Sequence, residues 1–184
     1  MDKTVKRLLK ELEKTRKKYW NIDAKTGQFL NQLVKDRKYK KILEFGTSTG
    51  YSAIWFLEAL SKTKGHLTTI ESHKKERFPL AQKHIKESGL SAYATLILGH
   101  APEDTPETPK LFDLAFFDAT KYEHVDYFKT ASKRIKKGGM IITDNIISHK
   151  KELAPYLKHV TSQKDWQSEI LNIGSGLLVS TKIK

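Results

Sequence analysis

From residue 40 onward the chain alternates short apolar runs with helical runs, and each of the first five apolar runs ends in an acid or a glycine. Ile42-Leu43-Glu44-Phe45 stops at Gly46, Leu67–Ile70 at Glu71, Tyr93–Leu98 at Gly99, Leu114–Phe117 at Asp118 and Met140–Thr143 at Asp144. Between them Tyr51–Ser61, Glu76–Ser88 and Val125–Ile135 read as helices, and Glu152–Val160 follows the last. Strand–helix–strand alternation closes as a parallel sheet with crossover helices. Ser168–Leu171 and Leu177–Thr181 flank Asn172–Gly176, which reads as a hairpin. The expected fold is therefore α/β. It is a Rossmann-like doubly wound sheet of seven strands, mostly parallel, with an antiparallel C-terminal hairpin strand. Leu114–Phe117 is apolar without a break, as a strand covered on both faces must be.

In such sheets ligands bind beyond the carboxyl ends of the strands, where the strand order reverses. Glu44, Glu71, Asp118 and Asp144 all fall at strand carboxyl ends. Gathered at one edge they repel one another, so a cation, donors or water must offset the cost. The first turn reads Glu44-Phe45-Gly46-Thr47-Ser48-Thr49-Gly50-Tyr51-Ser52. It lacks the Gly-Lys-Ser/Thr of a P-loop and the Gly-x-Gly-x-x-Gly of a dinucleotide site. Gly46 allows a tight turn and Gly50 a close helix start. Glu44 would repel a pyrophosphate and attract an ammonium. Glu71 is placed to accept from a ribose diol. An amino acid joined to adenosine satisfies both, which points to S-adenosylmethionine.

The 184 residues correspond to one domain, at roughly 150 residues each. The expected division is basic N-terminal helices over 1–39 and a cofactor-binding core over 40–184. Val5, Leu8, Leu9 and Leu12 recur at helix spacing, and Lys25–Lys35 reads as a second helix. Residues 1–41 hold 14 Lys/Arg and 5 Asp/Glu, so +9 of the net +13 lies there. Such a segment is either a solvated helix face or a surface for a polyanion. The absence of cysteine excludes disulfides, thiolate metal sites and a cysteine nucleophile. No apolar run approaches the ~18 residues of a membrane span, and the opening residues lead into no signal-peptide core. The expected location is the cytoplasm, with no membrane partner.

The ordered motifs resemble those of the class I S-adenosylmethionine-dependent methyltransferases. More narrowly, the chain is similar to the cation-dependent O-methyltransferases typified by catechol and caffeoyl-CoA O-methyltransferases. The resemblance rests on Leu43–Ser52, Thr69-Ile70-Glu71, Gly99-His100-Ala101 (with His for the usual Asp), Asp118-Ala119-Thr120-Lys121, Gly138–Asn145 and Asn172-Ile173-Gly174-Ser175-Gly176. Thr26–Leu30 also resembles the segment that precedes the glycine motif.

The resemblance implies that Asp118, Asp144 and Asn145 hold a divalent metal, usually magnesium, and that Lys121 is the general base, with Asp118 beside it in catalysis. It implies a cofactor set of Glu44, Gly46, Thr47, Ser48, Gly50, Ser52, Glu71, Ser72, His100, Ala101, Asp118, Ala119 and Thr120. Three oxygen ligands suit a hard cation. The acceptor it implies first is a small aromatic vicinal diol. Some relatives methylate a hydroxylated wobble uridine in tRNA, and the basic lead segment would suit that phosphate backbone. A non-catalytic RNA- or protein-binding relic is a third reading. The segment after Asp144-Asn145 is shorter than is usual in the family, which leaves the acceptor and a possible homodimer open. Trp20 stands as a possible lid residue.

Overall fold

The computed structural model describes residues 1–107 and 111–184. Three helices lead: α1 (Lys3–Glu13), α2 (Arg16–Tyr19) and α3 (Ala24–Asp36). The core then runs β1 (Lys41–Phe45), α4 (Tyr51–Thr63), β2 (His66–Glu71), α5 (Arg77–Glu87), β3 (Ala94–Leu98), β4 (Phe112–Phe117), α6 (His124–Ser132), β5 (Ile135–Thr143), α7 (Ala154–Thr161), β6 (Trp166–Leu171) and β7 (Leu177–Lys182). The seven strands lie in the order β3-β2-β1-β4-β5-β7-β6. The first five are parallel, and β7 runs antiparallel to both β5 and β6. The expected sheet is the one observed. Its order reverses between β1 and β4, so the crevice opens above Phe45 and Phe117.

Alternation along the strands divides the core into two layers. Ile42, Leu114 and Phe116 pack toward α1, α3 and α4, while Leu43, Phe45, Ala115 and Phe117 pack toward α6 and α7. Phe116 meets Phe56 of α4 edge-on at 5.6 Å, and Phe117 meets Tyr127 of α6 at 5.7 Å. This is why β4 is apolar on both faces from Leu114 to Phe117, with its one charged residue, Asp113, near the amino end accepting from the Lys40 and Lys41 N–H groups. Every residue of α4 from Tyr51 to Leu60 is buried, because α3 covers the face turned away from the sheet. The stripe Val5, Leu8, Leu9 and Leu12 of α1 joins the same layer and leaves Lys3, Lys6, Arg7 and Lys10 exposed.

Two expected boundaries differ. The helix expected to reach Ile135 stops at Ser132, and Ile135 opens β5 opposite Phe112. The pairing shifts register between Phe112 and Leu114, and Gly138, at φ +76°, lies in the shifted stretch, so the glycine pair is inside a strand whose first residues the sequence reads as the end of a helix. The helix expected from Glu152 starts at Ala154, where Pro155 fills a first-turn position whose N–H has no intrahelical partner. No helix among the described residues is long and apolar enough to cross a membrane.

Candidate active site

A cavity of about 700 Å³ opens at the carboxyl ends of β1, β2, β4 and β5. Gly46 lies at its floor, where the turns after β1 and β4 nearly touch. A Cβ on Gly46 would stand 2.4 Å from the Asp118 carbonyl oxygen, and the residue has φ +95°. Only glycine permits both. Gly50, at φ +87°, starts α4.

Glu71, at the end of β2, accepts from the Ser48 backbone N–H at 2.7 Å and the His73 N–H at 2.8 Å. Each carboxylate oxygen retains a lone pair toward the cavity. Ser72, His100, Ala101, Ala119 and Thr120 line the same end. The His100 ring lies 3.0 Å from Glu123, which also accepts from the Tyr127 hydroxyl at 2.5 Å.

At the other end Lys121 donates to Asp118 at 3.0 Å, and both side chains are largely buried. Burial pushes the Asp118 carboxyl above its usual range, against the pull of Lys121. Asp144 is pushed up to about 7, by burial first and by the Asp118 charge second. Its Oδ1 is buried with no hydrogen-bond partner among the described residues. Asn145 follows in the left-handed region at φ +68° and reaches the cavity wall.

The structure thus brings Gly46, Ser48, Glu71, Ser72, His100, Ala101, Asp118, Ala119, Thr120, Lys121 and Asn145 to one cavity. Glu44, Thr47, Gly50, Ser52 and Asp144 stand behind its wall. Thr47 bonds Thr69 at 2.5 Å, and Thr69 donates to Glu44 at 2.6 Å. Burial pushes Glu44 up to about 7, offset in part by Ser52 and Thr69, and its Oε1 has no partner within hydrogen-bond distance among the described residues. Ser48 has a second task, since its hydroxyl donates to the Tyr19 carbonyl at 3.0 Å and ties the lead segment to the glycine turn.

Sequence reasoning missed part of the wall. Arg16, Lys17 and Asn21 from the lead segment, Arg77 of α5, and Ser148 and His149 after β5 all line the cavity. Trp20 does too. Arg77 sits 5.0 Å over its ring, and the indole is 74% exposed. The basic lead segment was the available signal for Arg16 and Lys17; nothing in the sequence marked Arg77.

Comparison with known proteins agrees with this geometry. A family model described as O-methyltransferase matches residues 2–172. A catechol O-methyltransferase of Niastella koreensis is 36% identical over 72% of the chain, and one from Mycobacterium tuberculosis is 29% identical over 68%. The chain spans only 61% and 57% of those two proteins' lengths. Among solved structures, an O-methyltransferase of Bacillus cereus in complex with SAH superposes with a TM-score of 0.85 at 23% identity, covering 100% of this chain and 92% of that one. The SAH-bound methyltransferase PaMTH1 of Podospora anserina gives 0.86 at 21%, covering 100% and 89%. At these identities the superpositions speak for the fold, and the family match over most of the sequence speaks for descent: the chain belongs to the O-methyltransferase family.

Proposed function

We propose that the chain transfers the methyl group of S-adenosylmethionine to a hydroxyl of a small aromatic vicinal diol. One observation carries the reading. The strand-order reversal brings the Glu71 carboxylate and a lysine–aspartate pair, Lys121 and Asp118, to one cavity, and Glu71 suits a ribose diol as acceptor. The cofactor fits the chain's own groups. Gly46 leaves room at the cavity floor where a side chain would intrude, and Glu44 lies buried behind that floor. Glu71, already fixed by two backbone donors, orients a diol without moving.

The donor set also fits a hard divalent cation such as magnesium. Asp144 has an orphaned oxygen, and its charge is opposed by Asp118. Asp118, Asp144 and Asn145 are the residues that would hold it. Among the described residues no three His, Cys, Asp or Glu side chains form a metal-holding group; two carboxylates and one amide are a different set. When bound, such a cation lowers the pKa of a hydroxyl and offsets the repulsion between the aspartates.

Lys121 Nζ, as the neutral amine after giving up its own proton, takes the acceptor proton and becomes the ammonium, and the resulting oxyanion displaces the methyl group in line. An O–C bond forms as the S–C bond breaks, leaving a neutral thioether. The cavity walls hold the two reactants close and aligned, which supplies much of the acceleration. Trp20 offers the acceptor ring an aromatic face.

A second reading is supported by the exposed Lys3, Lys6, Arg7 and Lys10 and by Arg16 and Lys17 at the mouth. They suit a tRNA bearing a 5-hydroxyuridine at the wobble position. The deciding experiment is transfer of a labelled methyl group from S-adenosylmethionine, with magnesium and with chelator, to a catechol and to tRNA lacking the modification. Metal-dependent label on the catechol is the expected result; label on tRNA alone would replace it with the second reading.

A further inference from the structure

His124 is a buried titratable group to which the proposed transfer assigns no task. It is the first residue of α6 and has no exposed surface. Its ring lies against three others, with centroids 6.1 Å from Phe117, 5.2 Å from Tyr127 and 5.4 Å from Tyr156. Phe117 precedes Asp118, and the Tyr156 hydroxyl shares a 2.7 Å hydrogen bond with Thr143, which precedes Asp144. The ring therefore packs beside the two strand ends that carry the aspartates.

The chemistry of one contact fixes its tautomer. Nδ1 lies 3.0 Å from the Thr120 carbonyl oxygen, and a carbonyl only accepts. Nδ1 therefore carries the proton and donates. Burial first, and the Lys121 charge second, hold the imidazole well below its usual value, at about 3, so the ring is neutral. Nε2 is then an acceptor, buried with no partner among the described residues. An apolar side chain would avoid that cost. What histidine supplies here, and an apolar side chain does not, is the Nδ1–H bond.

That bond is not needed to satisfy the carbonyl. The Thr120 oxygen already accepts from the Glu123 N–H at 3.1 Å. The second donor ties the same oxygen to a side chain held in the core. Thr120 stands between Ala119, on the cavity wall, and Lys121, whose Nζ meets Asp118 at 3.0 Å. Lys121 opens the single turn Lys121–Glu123, so the anchoring of that turn sets where Nζ can reach.

We propose that His124 is a positioning residue: its Nδ1–H, clamped on the Thr120 carbonyl, holds the turn that aims Lys121 at the reacting hydroxyl. This rests on the transferase reading above and gives His124 no contact with substrate or cofactor.

The test compares His124→Asn with His124→Leu in the full chain. The two replacements are close in size and open similar space in the core, but only asparagine keeps a donor, its Nδ2, at the reach of Nδ1. Asparagine also buries an unpaired oxygen, so His124→Asn is expected to melt no higher than His124→Leu. Turnover is expected in the opposite order. With labelled S-adenosylmethionine, magnesium and catechol, His124→Leu should lose about 10- to 100-fold in kcat, the scale of a misplaced reacting group, with KM for the cofactor within about twofold of wild type. His124→Asn should keep kcat within about threefold of wild type. Equal kcat losses in the two variants, or a loss that follows the melting order, would make His124 a packing residue and overturn the proposal. So would an unchanged kcat in His124→Leu, or a rise in cofactor KM as large as the fall in kcat. Deuterium exchange of the amides over 118–124 reads the clamp without turnover. It should run about fivefold faster in His124→Leu than in His124→Asn, the scale of one hydrogen bond, and equal exchange overturns the clamp. A wild type that transfers no methyl group while the exchange contrast holds would count against the transferase reading and not against the clamp.

Discussion

The two ends of the cavity handle buried charge differently. At the cofactor end Glu71 is satisfied by backbone N–H groups of Ser48 and His73, which cannot move without unfolding the turns. At the proposed acceptor end Lys121 pairs with Asp118, the Asp118 charge raises Asp144, and Asp144 keeps an oxygen without a partner among the described residues. At the first end Glu71 is satisfied as folded, although Glu44 behind the wall keeps Oε1 without a partner among the described residues. The second is left short of positive charge, and buried carboxylates in that state want a ligand. A site that must hold one partner and react with another is built in this way: rigid donors where recognition is constant, unsatisfied charge where chemistry occurs.

The sharpest way to break this contrast is Asp144→Ala. It should cut methyl transfer by about 10³-fold or more, a scale set by loss of a group acting at the transition state. Added magnesium should then no longer stabilise the chain in thermal melts. Unaltered transfer in excess chelator would remove the acceptor end from the argument altogether. Lys121→Ala comes next, with turnover expected to fall about 10²- to 10⁴-fold as for loss of a general base. Cofactor affinity should stay within about twofold of wild type; an equal loss in both would make Lys121 a cofactor-site residue.

The cofactor side is probed by its buried charge. Glu44 is raised to about 7 by burial, against an ordinary value of 4.5. The folded chain therefore favours the protonated carboxyl. Its stabilising contribution is complete below pH 4.5 and is lost as pH rises through 7. Glu44→Gln should flatten that part of the stability–pH curve and raise the stability of the ligand-free chain at pH 8 by about 3 kcal/mol. Urea melts at pH 5 and pH 8 measure it, and an unchanged pH slope would show that Glu44 is ionised in the fold. Gly46→Ala should cost about 2 kcal/mol through its positive φ and the contact with the Asp118 carbonyl, and weaken both ends at once. Glu71→Gln is the mildest change. It should weaken cofactor binding by about 10-fold, on the scale of one charge-assisted hydrogen bond, while the metal dependence of turnover is kept.

The fold was legible because its rules are local and periodic. Apolar runs of strand length, helical spacing between them and punctuating glycines placed all seven strands. The misplaced start of β5 had a physical cause: Gly138-Gly139 reads as a helix stop, yet pairing with β4 carries the chain through it as a strand. The nearness of Asp118 and Lys121 was legible as well, since two residues three positions apart in one turn lie near each other.

What the sequence determined by itself was the sheet, the glycine turn and the acids at its edge, all set by neighbours within a few positions along the chain. Only the tertiary structure decided which of those acids reach the cavity. Glu44 and Asp144 were equal to Glu71 and Asp118 as letters, yet strand alternation and packing place them behind the wall. It also decided the acceptor end. Arg16, Lys17 and Trp20, Arg77, and Ser148 and His149 come from three distant segments, and they meet because the sheet brings the strand ends together and the Ser48 hydroxyl ties the lead segment over them. Long-range proximity of that kind is a product of packing and leaves no periodic trace in the sequence.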